Sequence, residues 1–433
     1  MVSGAIALLA GVPSAATLAA DSEPELTTIR APDRVPFSTC LPQAGISGAW
    51  ELISAADGGV WGLGEVLPGP DEEGKPLASA RLVVLPRHAP GGTPDAAVES
   101  EKPGGAVESE KPGANETAAL IRLSKRIDPA AAVFQWKEAS DTTLELTEGT
   151  RPVLAYNFGV ITRDDVPESD PRRSRSCYVH PLYGLDGEVL TDDFPKDHYH
   201  HHGVFWTWPH VVIDGKEYSL WEDRGPLRQR FVRWLCREAG ATAAVLGVEN
   251  GWFLGDAQVL TERVWFTVYR SGGERHIDVD LFFIPLDREV TLWGAEGKSY
   301  GGLTVRFRPR PGEKPRITVA DGLTADDLYE TPLTWADFCA RFGEGEVGKG
   351  AAWSGAAIFI SPSHPDYPPT WLTRHYGPLC VGWPGIRSQT LSPGKPVHLP
   401  YRLWIHRDCP SAEDIETVYR AYCKISATES KAK

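Results

Sequence analysis

The chain has 433 residues, 42% hydrophobic and 24% charged, and a formal net charge of −14. That length exceeds one small core and makes two domains the first expectation. The acidic balance speaks against a nucleic-acid or anionic-membrane partner, since both need a basic surface.

Residues 5–12 form a short apolar run, followed by small residues and Ala19-Ala20-Asp21. This is the hydrophobic segment and cleavage pattern of a signal peptide over residues 1–20, although the basic leader is missing. No other stretch reaches the roughly 18 apolar residues of a membrane span. The expectation is an exported protein, periplasmic or extracellular.

Residues 21–150 hold short β-type runs at 48–54, 80–85, 118–123, 133–136 and 143–146, divided by Gly, Pro and Asp. They predict a small β-sandwich domain. Within it, residues 96–115 contain a tandem copy of Ala-Val-Glu-Ser-Glu-Lys-Pro-Gly. Two polar copies are too few for a solenoid and read as an expanded, disordered loop.

From 151 to 433 the texture is a long series of strands. Residues 276–283 alternate apolar and polar side chains at period two, the mark of a half-buried antiparallel strand. Helix is scarce: a short one is expected within 326–342 and a terminal one over 411–425. Ser411 with Asp414 gives the latter a capping-box-like start, and Ile415, Val418, Tyr419 and Tyr422 share one face. The fold class is therefore all-β, a large antiparallel β-sandwich preceded by a small one and closed by a C-terminal helix.

Seven cysteines without a CxxC pair fit buried thiols with one or two disulfides whose connectivity the sequence leaves open. Fifteen tryptophans suit either sugar stacking or the filling of a large β core.

The chemistry concentrates in residues 178–206, which hold five of the 12 histidines. His180, His198, His200 and His201 lie among Asp192 and Asp193, and imidazole beside carboxylate serves acid–base work near neutral pH. In this reading a histidine is the acid and a carboxylate the base. Asp192 and Asp193 form a like-charge pair in which one pKa rises, or cap a turn at Phe194-Pro195. On a strand His198, His200 and His202 would share one face and could hold a divalent metal. Tyr178, Trp206 and Tyr300, which precedes Gly301-Gly302, offer rings and polar edges for a substrate. His364 and Arg374 could line a cleft, Arg374 gripping a carboxylate.

The order Tyr178-x-His180-Pro181-Leu182-Tyr183, Gly187-x-Val189-Leu190-Thr191-Asp192-Asp193-Phe194-Pro195, Asp197-His198-x-His200-His201-x-Gly203 and Trp206 resembles a planctomycete-type bacterial family known as PmoA-like, after methane oxygenase. Tyr300-Gly301-Gly302 and Tyr401-Arg402-Leu403 match it too. The resemblance covers about residues 150–425. It implies a galactose-mutarotase-type supersandwich, the fold of epimerases, polysaccharide lyases and some glycosidases. His202 departs from the pattern, which often has Arg there. Three functions follow as expectations: a secreted hydrolase, lyase or epimerase acting on a carbohydrate; a metal-dependent oxygenase; or a glycan-binding protein without activity.

Overall fold

The computed structural model describes residues 28–31, 35–40, 47–77, 81–86, 119–127, 133–343 and 352–431. The expected signal peptide and the tandem-copy loop lie outside them.

Two nine-stranded sheets make the body of the molecule, and every pairing in them is antiparallel. The first runs from Thr331–Pro332 through Thr370–Thr373, Pro378–Gly382, Gly302–Arg306, Val204–Thr207, Tyr178–Leu182, Arg151–Asn157 and Thr143–Glu148 to Phe134–Glu138. The second has Arg275–Pro285 and Val397–Arg407 at its middle. Their inner faces share one continuous core that includes Leu154, Val179, Trp206, Leu303 and Val305 of the first sheet and Phe266, Ile277, Val279, Leu281 and Leu403 of the second. The large sandwich is thus as the strand pattern predicts.

Period-two alternation decides what each face carries. In Arg275–Pro285, Ile277, Val279, Leu281 and Phe283 point into the core, while His276, Asp278, Asp280 and Phe282 take the other face. In Gly302–Arg306, Leu303 and Val305 are core and Arg306 is not.

The N-terminal strands form one six-stranded sheet, and two stretches expected to belong with them do not. Phe134–Glu138 and Thr143–Glu148 pair onward to Arg151–Asn157, so they are edge strands of the first large sheet. The six-stranded sheet packs instead on the outer face of the second large sheet, where Leu67 and Val83 meet Trp265, Tyr269 and Phe282. The helix Ala412–Lys431 covers the same outer face through Ile415, Tyr419 and Tyr422. It starts at the expected cap: Ser411 Oγ accepts from the Asp414 N–H at 3.2 Å, and the Asp414 carboxylate accepts from the Ser411 N–H at 3.1 Å.

The helix expected within 326–342 is a strand, Trp335–Arg341. Ala336, Phe338 and Ala340 face the core while Trp335 faces the helix Ala412–Lys431, and pairing on both edges overrides the local helical spacing.

These layers leave the outer face of the first large sheet free of the six-stranded sheet and the helix, and the histidine-rich stretch lies on it. No helix among the described residues is long and apolar enough to cross a membrane.

Candidate functional site

Strand parity builds the floor of the site. In Tyr178–Leu182, Val179 enters the core, and Tyr178 and His180 take the opposite face. In Val204–Thr207, Val204 and Trp206 are core while Phe205 joins Tyr178, Trp221, Leu372 and Cys380 on the outer side. Arg306 completes this floor.

Between Leu182 and Val204 the chain leaves the sheet and folds over it. The Phe194 N–H donates to the His201 carbonyl at 3.1 Å, closing a loop that contains the turn at Pro195–His198. Its return passes so close to the neighbouring strand that a Cβ on residue 203 would sit 2.0 Å from the Val179 carbonyl oxygen, which requires Gly203. Because residues 192–203 turn rather than extend, the histidines do not share a face. The shared-face metal set of His198, His200 and His202 is therefore not formed: His198 and His200 meet edge to face with centroids 5.6 Å apart, while His202 turns inward against Tyr178 and Phe194. The described residues contain no group of three or more His, Cys, Asp or Glu arranged to hold a metal ion.

The inner half of the site is a hydrogen-bonded carboxylate. Asp193 accepts from the Tyr178 hydroxyl at 3.0 Å, and its other oxygen lies 2.8 Å from His202 Nδ1. Burial pushes the Asp193 carboxyl up to about 6, against the lowering effects of His180 and the Tyr178 hydroxyl. Burial likewise holds His202 well below the ordinary imidazole range, helped by the Arg175 charge. His180 Nδ1 lies 3.1 Å from Thr191 Oγ1, which also accepts from the Leu182 N–H. Burial lowers the His180 pKa, so the ring is neutral at pH 7. Asp192 is half-buried and raised mainly by that burial, with the neighbouring Asp193 charge a lesser cause.

The outer half is a ring stack with a guanidinium beneath it. His198 stacks on His201 (4.6 Å, 3°) and on Tyr376 (5.4 Å, 9°). Arg306 is buried; its Nη2 donates to both Asp197 oxygens at 3.1 and 3.2 Å, and its guanidinium lies 4.8 Å from the Tyr376 ring centre. Arg306 Nε and Nη1, His200 Nδ1 and His201 Nδ1 are all buried without a hydrogen-bond partner. Burial lowers the His200 pKa to about 3 and the His201 pKa well below its usual range, so both rings are neutral.

Behind His202, Arg175 donates to Gln229 Oε1 at 2.6 Å, and Gln229 Nε2 donates to Glu262 at 2.7 Å within the core between the sheets. Glu262 also accepts from Asn250 and Trp252.

The remaining sequence candidates separate. Tyr300 packs on Trp221 at 4.5 Å, and Trp221 meets His201 edge to face, so Tyr300 stands beside the site. Arg374 reaches it at the rim: its guanidinium lies 5.9 Å from the Tyr376 ring centre, and the carboxylate it grips is Asp327, at 3.2 Å. Trp206 cannot stack a substrate, because alternation sends it into the core at 0% exposure. His364 is buried away from the cluster; its Nδ1 accepts from the Asp366 N–H and its Nε2 lies 3.2 Å from the Tyr401 hydroxyl. Arg306, Tyr376 and Trp221 are the site residues the motif reading passed over. Arg306 was the detectable one, the one charged residue of the strand Gly302–Arg306.

A family model matches residues 143–420, which include the second large sheet, all of the first but its edge strand Phe134–Glu138, and every residue of this site. The chain belongs to the DUF6807 family. That family is described as one of unknown function, so the methane-oxygenase label of the PmoA-like resemblance has no counterpart in it, although the two spans nearly coincide. No protein of curated function matches the sequence.

Among solved structures, the chain is similar to the GH36 α-galactosidase AgaA of Geobacillus stearothermophilus in complex with raffinose. The identity is 12% and the TM-score 0.30, over 64% of this chain and 41% of the galactosidase. This chain therefore accounts for less than half of that enzyme's length. It is also similar to the Slr1438 protein of Synechocystis (9% identity, TM-score 0.27, 66% of this chain and 100% of that one). A third is an Escherichia coli K12 protein provisionally assigned as an aldose 1-epimerase (10%, TM-score 0.26, 63% and 99%). Likeness at these scores carries no argument about what the DUF6807 site does.

Proposed function

We propose that this DUF6807 chain is an exported carbohydrate-active enzyme, a hydrolase, lyase or epimerase, working on the open face of its first large sheet. The observation that carries the proposal is the gathering of unpartnered buried polar atoms at one place: Arg306 Nε and Nη1 as donors, His200 and His201 Nδ1 beside them. Leaving buried polar groups unpaired costs about 1–3 kcal/mol each, which a bound ligand can recover. A sugar offers what they lack, hydroxyls that both donate and accept, and the half-exposed rings of His198 and Tyr376 give it a flat face to lie on.

The same site handles protons. A His180 kept neutral by burial is a proton acceptor, and a carboxyl raised by burial, Asp192 or Asp193, is a donor. This reverses the roles expected from residue type alone. The disulfide between Cys339 and Cys409 supports export, because such bonds persist in oxidising compartments.

The donor set does not fit the oxygenase alternative, since His202 is turned to Asp193 and no three ligands converge among the described residues. Stoichiometric iron or copper in purified protein would revive that reading.

Incubation with a panel of oligosaccharides tests the proposal. New reducing ends, unsaturated products or anomeric change should appear with the wild type and vanish in His180→Ala and Asp193→Asn. Binding without any of these products would make the protein a glycan-binding module, and neither binding nor turnover would sink the carbohydrate reading.

A further inference from the structure

On the opposite side of the molecule, a cavity of about 400 Å³ opens where the six-stranded sheet crosses the second large sheet. That volume lies in the range of small-molecule pockets, about 300–1,000 Å³. One wall is aliphatic, with Val60, Leu63 and Leu85 from neighbouring strands of the N-terminal sheet. The other wall is the turn 270–274 and the start of Arg275–Pro285, contributing Arg270, Glu274 and His276.

His276 decides what the cavity would take. It is 2% exposed, and its Nε2 lies 3.0 Å from Glu274 Oε1. A carboxylate oxygen only accepts, so Nε2 carries the hydrogen and Nδ1 presents a lone pair. Nδ1 is buried and has no partner. Burial lowers the pKa of His276 against the opposing effect of Glu274, so the ring is neutral at pH 7 and the lone pair is retained. A ligand must therefore bring a donor to this end. The lining also includes Glu51 and Ser271, and the Ser271 hydroxyl is already committed to Glu148. Two lining carboxylates against one guanidinium leave no surplus of positive charge for an anion.

We infer that this cavity binds an uncharged ring compound that donates a hydroxyl to His276 Nδ1 and lays its apolar face on Leu63 and Leu85. A sugar ring and a phenol share that chemistry. The site is independent of the one on the first sheet, and its ligand belongs to the interface between the six-stranded sheet and the sandwich.

Calorimetry and saturation-transfer NMR on the full chain, with methyl glucoside in one arm and phenol in the other, test the assignment. At least one probe should bind the wild type tenfold or more tightly than it binds His276→Phe, which removes the acceptor, and Leu63→Trp, which fills the cavity from the opposite wall. Toluene, which lacks the donor, should not distinguish wild type from His276→Phe. Binding of phenol alone assigns a phenolic ligand, and binding of the glycoside alone a sugar. Should either variant fail to give the wild-type circular dichroism spectrum, Leu85→Phe supplies the same occlusion. The inference is overturned if neither probe binds the wild type, or if binding survives in the folded variants.

Discussion

His202 and Asp193 stand 2.8 Å apart, ring nitrogen to carboxylate oxygen, with the His202 ring packed among Tyr178, Phe194 and Phe205. Burial drives the pair toward its uncharged forms, raising the carboxyl and lowering the imidazole. A carboxyl near 6 is placed to exchange protons close to neutral pH, which an exposed aspartate is not.

Tyr178→Phe removes the hydroxyl that donates to Asp193. That hydrogen bond favours the ionised carboxylate, so its loss should move the Asp193 titration above 6. Carbon-13 NMR of the carboxyl, or the acid limb of an activity profile, would show the shift. The lost buried hydrogen bond should cost about 1–2 kcal/mol in denaturant unfolding.

Asp193 also makes stability depend on pH. Its folded pKa, about 6, is above the ordinary 3.8, so the folded state binds the proton more tightly. Its contribution is complete below pH 3.8 and is lost as pH rises through 6, a change of about 3 kcal/mol for about two pKa units. Comparing unfolding free energies at pH 4 and pH 8 should show this component in the wild type and not in Asp193→Asn.

His200 acts in the opposite sense. Its folded pKa, near 3, is below the ordinary 6.5, so its contribution is complete above 6.5 and is lost as pH falls toward 3. His200→Gln should lower the midpoint of acid unfolding followed by tryptophan fluorescence. An unchanged midpoint would mean the ring is not buried as neutral imidazole.

The Cys339–Cys409 disulfide closes a span of 70 residues. Chain-entropy arguments give such a loop about 4 kcal/mol. The double variant Cys339→Ala, Cys409→Ala should lose about that much in equilibrium unfolding, and a reductant should reproduce the loss in the wild type.

Trp206 and Arg306 should fail differently. Trp206→Ala empties a core position and should cost about 3–5 kcal/mol of stability. Arg306→Gln should leave melting nearly unchanged while weakening glycan affinity tenfold or more. Loss of binding in Trp206→Phe at full stability would contradict the placement of that ring.

What was legible in the sequence follows from periodicity. Alternation in residues 276–283 and the Ser411–Asp414 cap were visible because both depend on near neighbours. The clustering of histidine with aspartate singles out residues 178–206 but does not tell which of their side chains touch. His202 departs from the motif and reads as a metal ligand beside His198 and His200, yet it touches Asp193. Trp206 looked like a platform because of its residue type, and only strand parity reveals that it faces inward. The strand at Trp335–Arg341 was hidden because its β state comes from partners at 316–319 and 353–360, distant in the chain.

Gln229 separates two buried charges. Its oxygen receives Arg175 and its nitrogen gives to Glu262, so a carboxylate sealed between the sheets is linked through one amide to a guanidinium that also lies 3.6 Å from the buried Asp223. The amide cannot invert, because inversion would set donor against donor and acceptor against acceptor. The wall behind His202 and the middle of the sandwich should therefore loosen as one event, so slow hydrogen exchange at Trp206 and at Asn250 would share a single opening rate.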